Sequence, residues 1–469
     1  MRATRDILGL ISVLAGSACV AVGQESQPAS APTAVWTWEA ESGIEWAELV
    51  GEGSNAAVLV ATRDARLEIL DQRNGKTRLA EPIHVAPGVQ LVLDLMSAGN
   101  VLGFHTGGAA PYASSDTAFC FDRYAIYALR FGEPAGVRWQ YGEQPPDSQA
   151  FDGDPEVLNG WVAAQAAYGG VVAVNSSGRI VLLGDRENQV LGEADIGPLT
   201  RARVLLPCLV VWAADGRTHG AYLHLGGKTE LTVWDIGDGW PAWAGCLGFG
   251  FMGLSLSGNE ATWWPSDRAD LRRVGLEGEG LRTAAAQLLT TVGRGHWIGV
   301  AVPAGADVLA FDAVGGARIW TAERVLANGA DVVVLAAHRT WLLATGERAA
   351  SICDTRTGRV LCISRREAPW RLGGAHLTDE GLTVLYHRKL AVEAGTDATS
   401  QATAAAVVER FAVPRGLTSR SADGSVRSLA LRKTETQRLA DPGDVQRVLW
   451  GRKYVYVVGK NTVRAYTLP

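Results

Sequence analysis

The sequence is poor in charge, in cysteine and in helical periodicity. Charged residues make up 20% of its 469 residues, and the formal net charge is only -5. Such a balance gives no electrostatic signal for nucleic acid or another polyanion. Helical periodicity is limited to Leu281–Val292 and Ala402–Phe411, each enough for a turn or two of helix. The charge balance therefore implies no nucleic-acid partner, and the scarcity of helical periodicity predicts an all-β chain.

The few cysteines do not form a recognisable framework. Of the six, Cys19 lies in the N-terminal apolar segment, and the remaining five are an odd number, which cannot form a complete set of disulfide bonds. No two cysteines have the C-x-x-C spacing of a metal, redox or covalent haem site. Cys353 and Cys362 would face each other across a two-residue hairpin turn and form a disulfide, whereas a longer loop would shift the register and separate them. Both alternatives stay open from the sequence.

Patterns that carry catalysis or metal binding are also scarce. The chain has no G-x-S-x-G nucleophile elbow. The acidic segment Asp152–Glu156 suggests a Ca²⁺ loop, but the other ligand positions of such a loop are missing, and an acidic turn explains it. His219 and His224 are five residues apart on a predicted strand, which places them on opposite faces. We therefore predict no catalytic, cofactor-binding or metal-binding residues.

The N-terminus has the features of an export signal. An apolar run, Ile7–Val22, follows two arginines and ends in the small residues that a signal peptidase reads. This pattern predicts a signal peptide at residues 1–23, cleaved before Gln24, and a periplasmic or secreted protein. Residues 24–34 are rich in Ser, Pro and Ala and predict a disordered leader.

Two other interpretations of the N-terminus are a membrane anchor and a lipidated Cys19. About 16 apolar residues fall short of the roughly 20 that span a bilayer, and the residues before Cys19 lack the large aliphatic residue expected for lipidation. A second uncharged run, Gly239–Asn259, is interrupted by glycines and Pro241 and is better explained as buried strands. We expect no transmembrane span once the signal is removed.

Glycine and tryptophan, in contrast, are abundant, and a short hairpin motif recurs. The chain has 55 Gly and 16 Trp residues. Three similar segments are Ile69–Leu79, Ala310–Trp320 and Ile352–Cys362. Each predicts a strand end, a turn and a second strand, with an aspartate four residues before a glycine. The aspartate can accept hydrogen bonds from turn amides, and the glycine can adopt positive φ. The pairs are Asp71 with Gly75, Asp312 with Gly316, and Asp354 with Gly358.

The spacing of these hairpins indicates a repeat architecture. Between them, apolar runs of five or six residues, such as Ala57–Thr62 and Gly170–Asn175, alternate with turn residues. The hairpin glycines lie 42 to 61 residues apart when Gln189 is counted as a degenerate equivalent. The wide gap between Gln189 and Gly316 must hold one or two further degenerate copies. Dividing about 445 residues by a unit of about 55 predicts about eight four-stranded blades, and seven or nine also fit.

The two ends of the chain each supply part of a repeat. Thr462–Pro469 resembles the strand before the motif glycine but stops where the turn and final strand should follow. Val35–Glu39 is a Trp-rich strand with no partner upstream. Pairing the two would remove exposed edges and close a ring, as in circular β-propellers. Residues 35–469 are therefore predicted to form a single closed β-propeller, which we expect to be a monomer.

The repeat resembles that of the quinoprotein-like β-propellers, A-x-D-x-x-T-G-K-x-x-W, also called the PQQ repeat and similar in architecture to WD40 repeats. Ala310, Asp312, Gly316 and Trp320 match it in one copy. The resemblance implies that this tryptophan docks between neighbouring blades, as would Trp139 in a looser copy. Leu79 and Cys362 occupy the tryptophan position in the other two copies, so no such docking is implied there.

The resemblance also bears on activity. Enzymes of that family hold pyrroloquinoline quinone over Ca²⁺, commonly beside two adjacent cysteines, and this chain has no adjacent cysteines. It is therefore closer to the non-catalytic branch, which resembles the β-propeller lipoprotein of the outer-membrane assembly machinery, and no cofactor is expected.

The expected function is an exported, non-enzymatic scaffold that binds a protein partner. The alternatives are a divergent quinoprotein-type enzyme and a propeller that binds a small ligand or carbohydrate. The longest insertions, Gly107–Phe121, Gln144–Asn159 and Gly395–Ala404, lie between strand-like runs, where a propeller exposes its loops. We expect the contact surface there.

Overall fold

The structure is a computed structural model, and its described regular structure consists of β-strands. It contains no described helix that is long and apolar enough to cross a membrane. The described residues are 32–51, 53–92, 104–106, 116–143, 160–167, 170–184, 187–206, 209–224, 230–238, 240, 243–247, 250–254, 260–265, 272–275, 285–290, 296–302, 307–312, 317–326, 332–338, 341–378, 380–388, 405–412 and 431–468. The predictions for residues 1–31 lie outside them.

Sheets follow one another along the chain, and most of them are antiparallel meanders of four strands. Sheet 1 comprises β2 (Ile44–Val50), β3 (Ala57–Thr62), β4 (Arg66–Asp71) and β5 (Ile83–His84). Sheet 2 comprises β6 (Gln90–Val92), β8 (Thr117–Phe121), β9 (Ala125–Arg130) and β10 (Gly136–Gly142). Sheet 3 comprises β11 (Trp161–Ala167), β12 (Gly170–Asn175), β13 (Arg179–Gly184) and β14 (Val190–Asp195).

The next three sheets repeat this order. Sheet 4 comprises β15 (Arg201–Leu206), β16 (Leu209–Ala214), β17 (Arg217–His224) and β18 (Glu230–Asp238). Sheet 5 comprises β19 (Trp243–Leu247), β20 (Gly250–Leu254), β21 (Glu260–Pro265) and β22 (Arg272–Gly275). Sheet 6 comprises β23 (Ala285–Thr290), β24 (His296–Val302), β25 (Asp307–Asp312) and β26 (Arg318–Ala322).

The last three sheets include two exceptions to simple chain order. Sheet 7 comprises β27 (Val334–His338), β28 (Trp341–Thr345), β29 (Ala349–Asp354) and β30 (Val360–Arg365). Sheet 8 comprises β31 (Arg371–Thr378), β32 (Gly381–Arg388), β33 (Ala405–Ala412) and β34 (Arg432–Leu439), and β7 (Phe104–Thr106) joins it parallel to β31. Sheet 9 comprises β35 (Arg447–Trp450), β36 (Tyr454–Val458), β37 (Thr462–Thr467) and, from the N-terminus, β1 (Trp36–Glu39).

Apolar clusters join neighbouring sheets. One cluster contains Leu59 of sheet 1 and Tyr127 of sheet 2, and another contains Val174 of sheet 3 and Val210 of sheet 4. Corresponding clusters join sheets 2 and 3, 6 and 7, 7 and 8, 8 and 9, and 9 and 1. Four-stranded meanders packed in this way are the blades of a β-propeller. The all-β, propeller-type prediction is therefore confirmed.

Two features of the sequence prediction can be compared with the structure: the bounds of the strands and the number of blades. Ala57–Thr62 and Gly170–Asn175 are β3 and β12 with the predicted bounds. The described residues form nine sheets, which is one of the alternatives left open beside about eight, and the gap between Gln189 and Gly316 holds two complete sheets, 4 and 5. The two segments with helical periodicity form strands where the structure describes them, since β23 lies within Leu281–Val292 and β33 overlaps Ala402–Phe411. Strand β33 is paired on both sides, and this pairing overrides the local pattern.

The hairpin aspartates and glycines act as predicted in sheets 1 and 7. Asp71 Oδ1 accepts a hydrogen bond from the Arg73 amide at 2.8 Å, and the Gly75 amide donates to the Asp71 carbonyl at 2.9 Å. Asp354 and Gly358 repeat the second bond at 2.9 Å. Both glycines have positive φ, 68° and 70°. Local turn chemistry therefore explains these aspartates.

The loop between β29 and β30 separates Cys353 from Cys362. Ile352 faces Cys362, and a bulge shifts the register so that Cys353 faces Val360. Both cysteines are free and buried, and burial raises the pKa of each thiol to about 12. The disulfide alternative is therefore wrong, because the turn is longer than two residues.

Tryptophan docking links the hairpins to the preceding sheet. Trp320 Nε1 of sheet 6 donates a hydrogen bond to the Thr355 carbonyl of sheet 7 at 3.0 Å, and its ring lies against Gly358. Trp139 lies in the cluster that joins sheets 2 and 3. Where the motif lacks tryptophan, Cys362 packs in the cluster joining sheets 7 and 8. Leu79 occupies the tryptophan position in the other copy. The residue before it, Arg78, donates a hydrogen bond to the Phe131 carbonyl of sheet 2 at 2.7 Å.

The N-terminal strand completes sheet 9. Trp36 pairs with Ala465 in an antiparallel register, making β1 the fourth strand of this sheet. Trp36 Nε1 donates to the Gln72 carbonyl of sheet 1 at 3.1 Å, and its ring lies against Gly75. Trp36 thus supplies the docking tryptophan of the repeat that the C-terminus leaves incomplete.

Candidate binding surface

The sequence-predicted features are distributed over several sheets. His219 and His224 both lie on β17, and Asp152–Glu156 falls outside the described residues. Residues 107–115, 144–159 and 395–404 of the three insertions are also outside, and the remainder of the first insertion includes strand β8 rather than loop only. No group of three His, Cys, Asp or Glu side chains in the described ranges is placed to hold a metal ion.

A polar cluster that the sequence did not reveal lies between sheets 7 and 8, around Glu409. This side chain is buried within β33, and its Oε1 accepts hydrogen bonds from Arg366 Nη2 at 2.7 Å and Lys433 Nζ at 2.8 Å. Its Oε2 accepts one from Ser364 Oγ at 3.1 Å. Ser364 is also within 2.9 Å of the Tyr386 hydroxyl. Three donors therefore satisfy one buried carboxylate.

The donors outweigh the cost of burying the charge. Burial alone would raise the pKa of Glu409, but the hydrogen bond from Lys433 and the charge of Arg366 lower it below its usual value. Glu409 is therefore ionised at neutral pH. It neutralises one of its two cationic neighbours, so the cluster carries a surplus positive charge even before further residues are included.

Two arginines, one of them Arg366 of this cluster, lie over the ring of a tryptophan. Arg366 Cζ lies 4.7 Å from the Trp370 ring centroid, and Arg388 Cζ lies 5.0 Å from the same centroid. Both distances allow cation–π attraction. Trp370 is half-buried, and so is Arg388. We call these three residues the Arg–Trp surface.

Backbone topology brings the three residues together. Arg366 and Trp370 lie on the connection from β30, the last strand of sheet 7, to β31, the first strand of sheet 8. Arg388 is the last residue of β32, which runs antiparallel to β31, with Arg371 facing His387. The end of β32 therefore lies beside the start of β31.

The side chain of Arg388 contrasts with that of Arg366. Arg366 is hydrogen-bonded to Glu409, whereas Arg388 has no hydrogen bond or ion pair with any described residue. The Nε atoms of both arginines are buried and lack a hydrogen-bond acceptor among the described residues. A guanidinium group without an acceptor can bind an incoming carboxylate.

A second buried glutamate, Glu48, links the first strand of sheet 1 to the first strand of sheet 9. Glu48 on β2 forms a salt bridge and hydrogen bond with Arg447 Nη2 on β35. Burial raises the pKa of Glu48, and the charge of Arg447 only partly opposes this effect. With 3% of its side chain exposed, Glu48 is closed to a ligand. We therefore interpret this pair as a structural link between the two sheets.

Comparison with known proteins gives only structural likenesses. No protein-family model matches the sequence, and no curated protein matches it. Among solved structures, the chain resembles Saccharomyces cerevisiae Sqt1 at 8% identity, covering 94% of this chain and 100% of that one, with a TM-score of 0.47. It resembles BamB from Moraxella catarrhalis at 12% identity, covering 75% and 96%, with a TM-score of 0.42. The dihydro-heme d1 dehydrogenase NirN is similar at 12% identity, covering 83% and 74%, with a TM-score of 0.46.

Proposed function

We propose that this chain is an exported, non-enzymatic β-propeller that serves as a protein-binding scaffold in the cell envelope. The observation that carries the proposal is the Arg–Trp surface, which presents two arginines and a tryptophan at the loop end of sheet 8. Arg and Trp are the residue types that dominate binding energy at protein interfaces. The N-terminal segment with the pattern of an export signal supports the location, and processing at residue 23 is part of the proposal.

The proposal includes a closed ring of nine blades. Its support is the pairing of β1 with β37 and the docking of Trp36 on sheet 1. A closed ring leaves no inter-blade face exposed to solvent and holds the loops in fixed positions. A rigid frame of this kind lowers the entropy cost of binding, since the contact residues are already ordered. We expect the ring to act as a monomer.

The proposal is tested by capture of envelope proteins on the purified mature protein. We expect a specific protein partner that is lost when residues 144–159 are shortened. In parallel, pyrroloquinoline quinone with Ca²⁺ is supplied, and dye-linked oxidation of alcohols and sugars is measured. Quinone-dependent turnover, or an empty capture beside tight binding of a small sugar, would overturn the scaffold function.

A further inference from the structure

We infer that the Arg–Trp surface recognises a carboxylate side chain in an acidic peptide segment of the partner. This inference rests on the proposed scaffold function and adds the chemistry of its contact. Three observations lead to it: the charge balance of the cluster, the lack of an acceptor for Arg388 among the described residues, and the aromatic ring against which both arginines lie.

The charge balance leaves room for an anion. Arg366, Arg388 and Lys433 contribute three positive charges, and Glu409 is the acidic member of the cluster. The oxygens of Glu409 already accept three hydrogen bonds, from Arg366, Lys433 and Ser364. Glu409 therefore has little remaining capacity to neutralise Arg388.

The donors of Arg388 match a carboxylate in shape. A guanidinium group presents parallel N–H donors in a planar fork, and a carboxylate accepts two of them at once. Arg388 makes no hydrogen bond within the described residues, and the Trp370 ring restricts its motion from one side. Less side-chain entropy is then lost when a carboxylate binds.

Trp370 favours a peptide over a bare anion. Its half-buried ring offers an apolar face beside the charged groups, and a peptide can place an aliphatic side chain there next to its acidic one. A free phosphate would use only the arginines. Nucleic acid fits poorly, since the net charge of the chain is -5 and a phosphate backbone needs an extended basic surface.

The test uses two labelled peptides, one alternating Glu and Leu and one alternating Gln and Leu, with fluorescence anisotropy on the full mature protein. We expect binding of the Glu peptide, at least tenfold weaker binding of the Gln peptide, and a similar loss in Arg388→Met, because a charge-assisted pair is removed. Arg388→Lys should lose part of the affinity, since it keeps the charge but not the fork. Trp370→Leu should weaken binding less than Arg388→Met.

Arg365→Met is the matched control, because Arg365 is exposed on β30 and lies next to Arg366 in the sequence. It removes the same charge and should leave binding unchanged. Arg388→Met should melt at the wild-type temperature, as no residue that the structure describes accepts a hydrogen bond from this side chain. Equal binding of the two peptides, equal effects of the two Met variants, or equally effective competition by inorganic phosphate would overturn the carboxylate site.

The outcomes separate this inference from the scaffold function. A captured protein partner that Arg388→Met retains would refute the carboxylate site while the scaffold function survives. Specific binding of the Glu peptide together with an empty capture would support the site and count against the scaffold.

Discussion

Two junctions between sheets use the same tryptophan contact, although one is local in sequence and the other joins the two ends of the chain. At the junction of sheets 6 and 7, Trp320 donates to the Thr355 carbonyl at 3.0 Å. At the junction of sheets 9 and 1, which we call the seam, Trp36 donates to the Gln72 carbonyl at 3.1 Å. A Cβ atom on the glycine beneath either ring would lie 2.5 Å from the ring.

The comparison shows that a repeat can form this tryptophan contact whether or not its four strands are consecutive in the sequence. In sheet 6 the tryptophan lies on the fourth strand of one continuous meander. At the seam the fourth strand comes from the N-terminus, and β37 would otherwise be an edge strand. The seam adds a hydrogen bond from the Tyr456 hydroxyl to the same Gln72 carbonyl at 3.3 Å and the Glu48–Arg447 salt bridge.

The largest expected effect follows from removing the N-terminal half of the seam. Deletion of residues 24–42 removes β1 and the buried Trp36, and we expect a loss of several kcal/mol in unfolding free energy, since truncating a buried aromatic residue alone costs about 3–5 kcal/mol. Urea denaturation measures it. Deletion of residues 24–31 alone is the control and should leave stability unchanged. Equal stability of the two deletions would contradict a structural role for β1.

Next in size is the replacement of Arg447, which faces the buried Glu48 at the seam. Arg447→Met should destabilise by about 3–5 kcal/mol, because breaking a buried ion pair leaves a buried charge. Arg366→Met at Glu409 should cost less, about 1–2 kcal/mol, since Lys433 and Ser364 still donate to that carboxylate. Denaturation of both variants in parallel gives the difference, and the reverse order would contradict our interpretation of Glu48.

A smaller effect is expected at the two glycines beneath the tryptophans. Gly75→Ala and Gly358→Ala each place a Cβ against the ring, which costs about 1–3 kcal/mol as overpacking, in addition to the strain of positive φ. The matched control is Gly53→Ala, where φ is 60° but nothing lies within 4 Å, so only the strain remains. Thermal melts should show similar losses for the first two variants. A loss at Gly358 alone would mean that the seam contact is not equivalent.

The smallest effect is a difference in pH dependence between the two buried glutamates. The pKa of Glu409 is lowered in the folded protein, so its contribution to stability is present above its unfolded pKa and is lost as the pH falls through the folded value. The pKa of Glu48 is raised, so its contribution is present at low pH and is lost as the pH rises through the folded value. Relative to wild type, Glu409→Gln should therefore reduce the loss of stability as the pH falls. Glu48→Gln should reduce the loss of stability as the pH rises through the folded pKa of Glu48. Identical curves for the two variants would refute the opposite signs.

Local sequence patterns predicted the hairpins, most of the strands named in the sequence analysis, and the pairing of the N-terminal strand with the C-terminal one. These features depend on neighbouring residues or on half-repeats that are visible in the sequence. The register shift at Cys353 was left open, because it depends on the length of one turn. The Arg–Trp surface could not be predicted, since it combines a connection after β30 with the end of β32, and only the pairing of β31 and β32 brings them together. Individual arginine and tryptophan residues in the sequence give no indication that they come together in the fold.

Hydrogen–deuterium exchange on the intact protein tests closure at the seam most directly. In the structure β37 is paired on both sides, with β1 and β36, as β29 is paired with β28 and β30, whereas β30 is the last strand of its sheet. Amides on strands paired on both sides are protected more strongly than those on edge strands. Closure predicts that Thr462–Thr467 exchanges as slowly as Ala349–Asp354. Exchange as fast as that of Val360–Arg365 would contradict it.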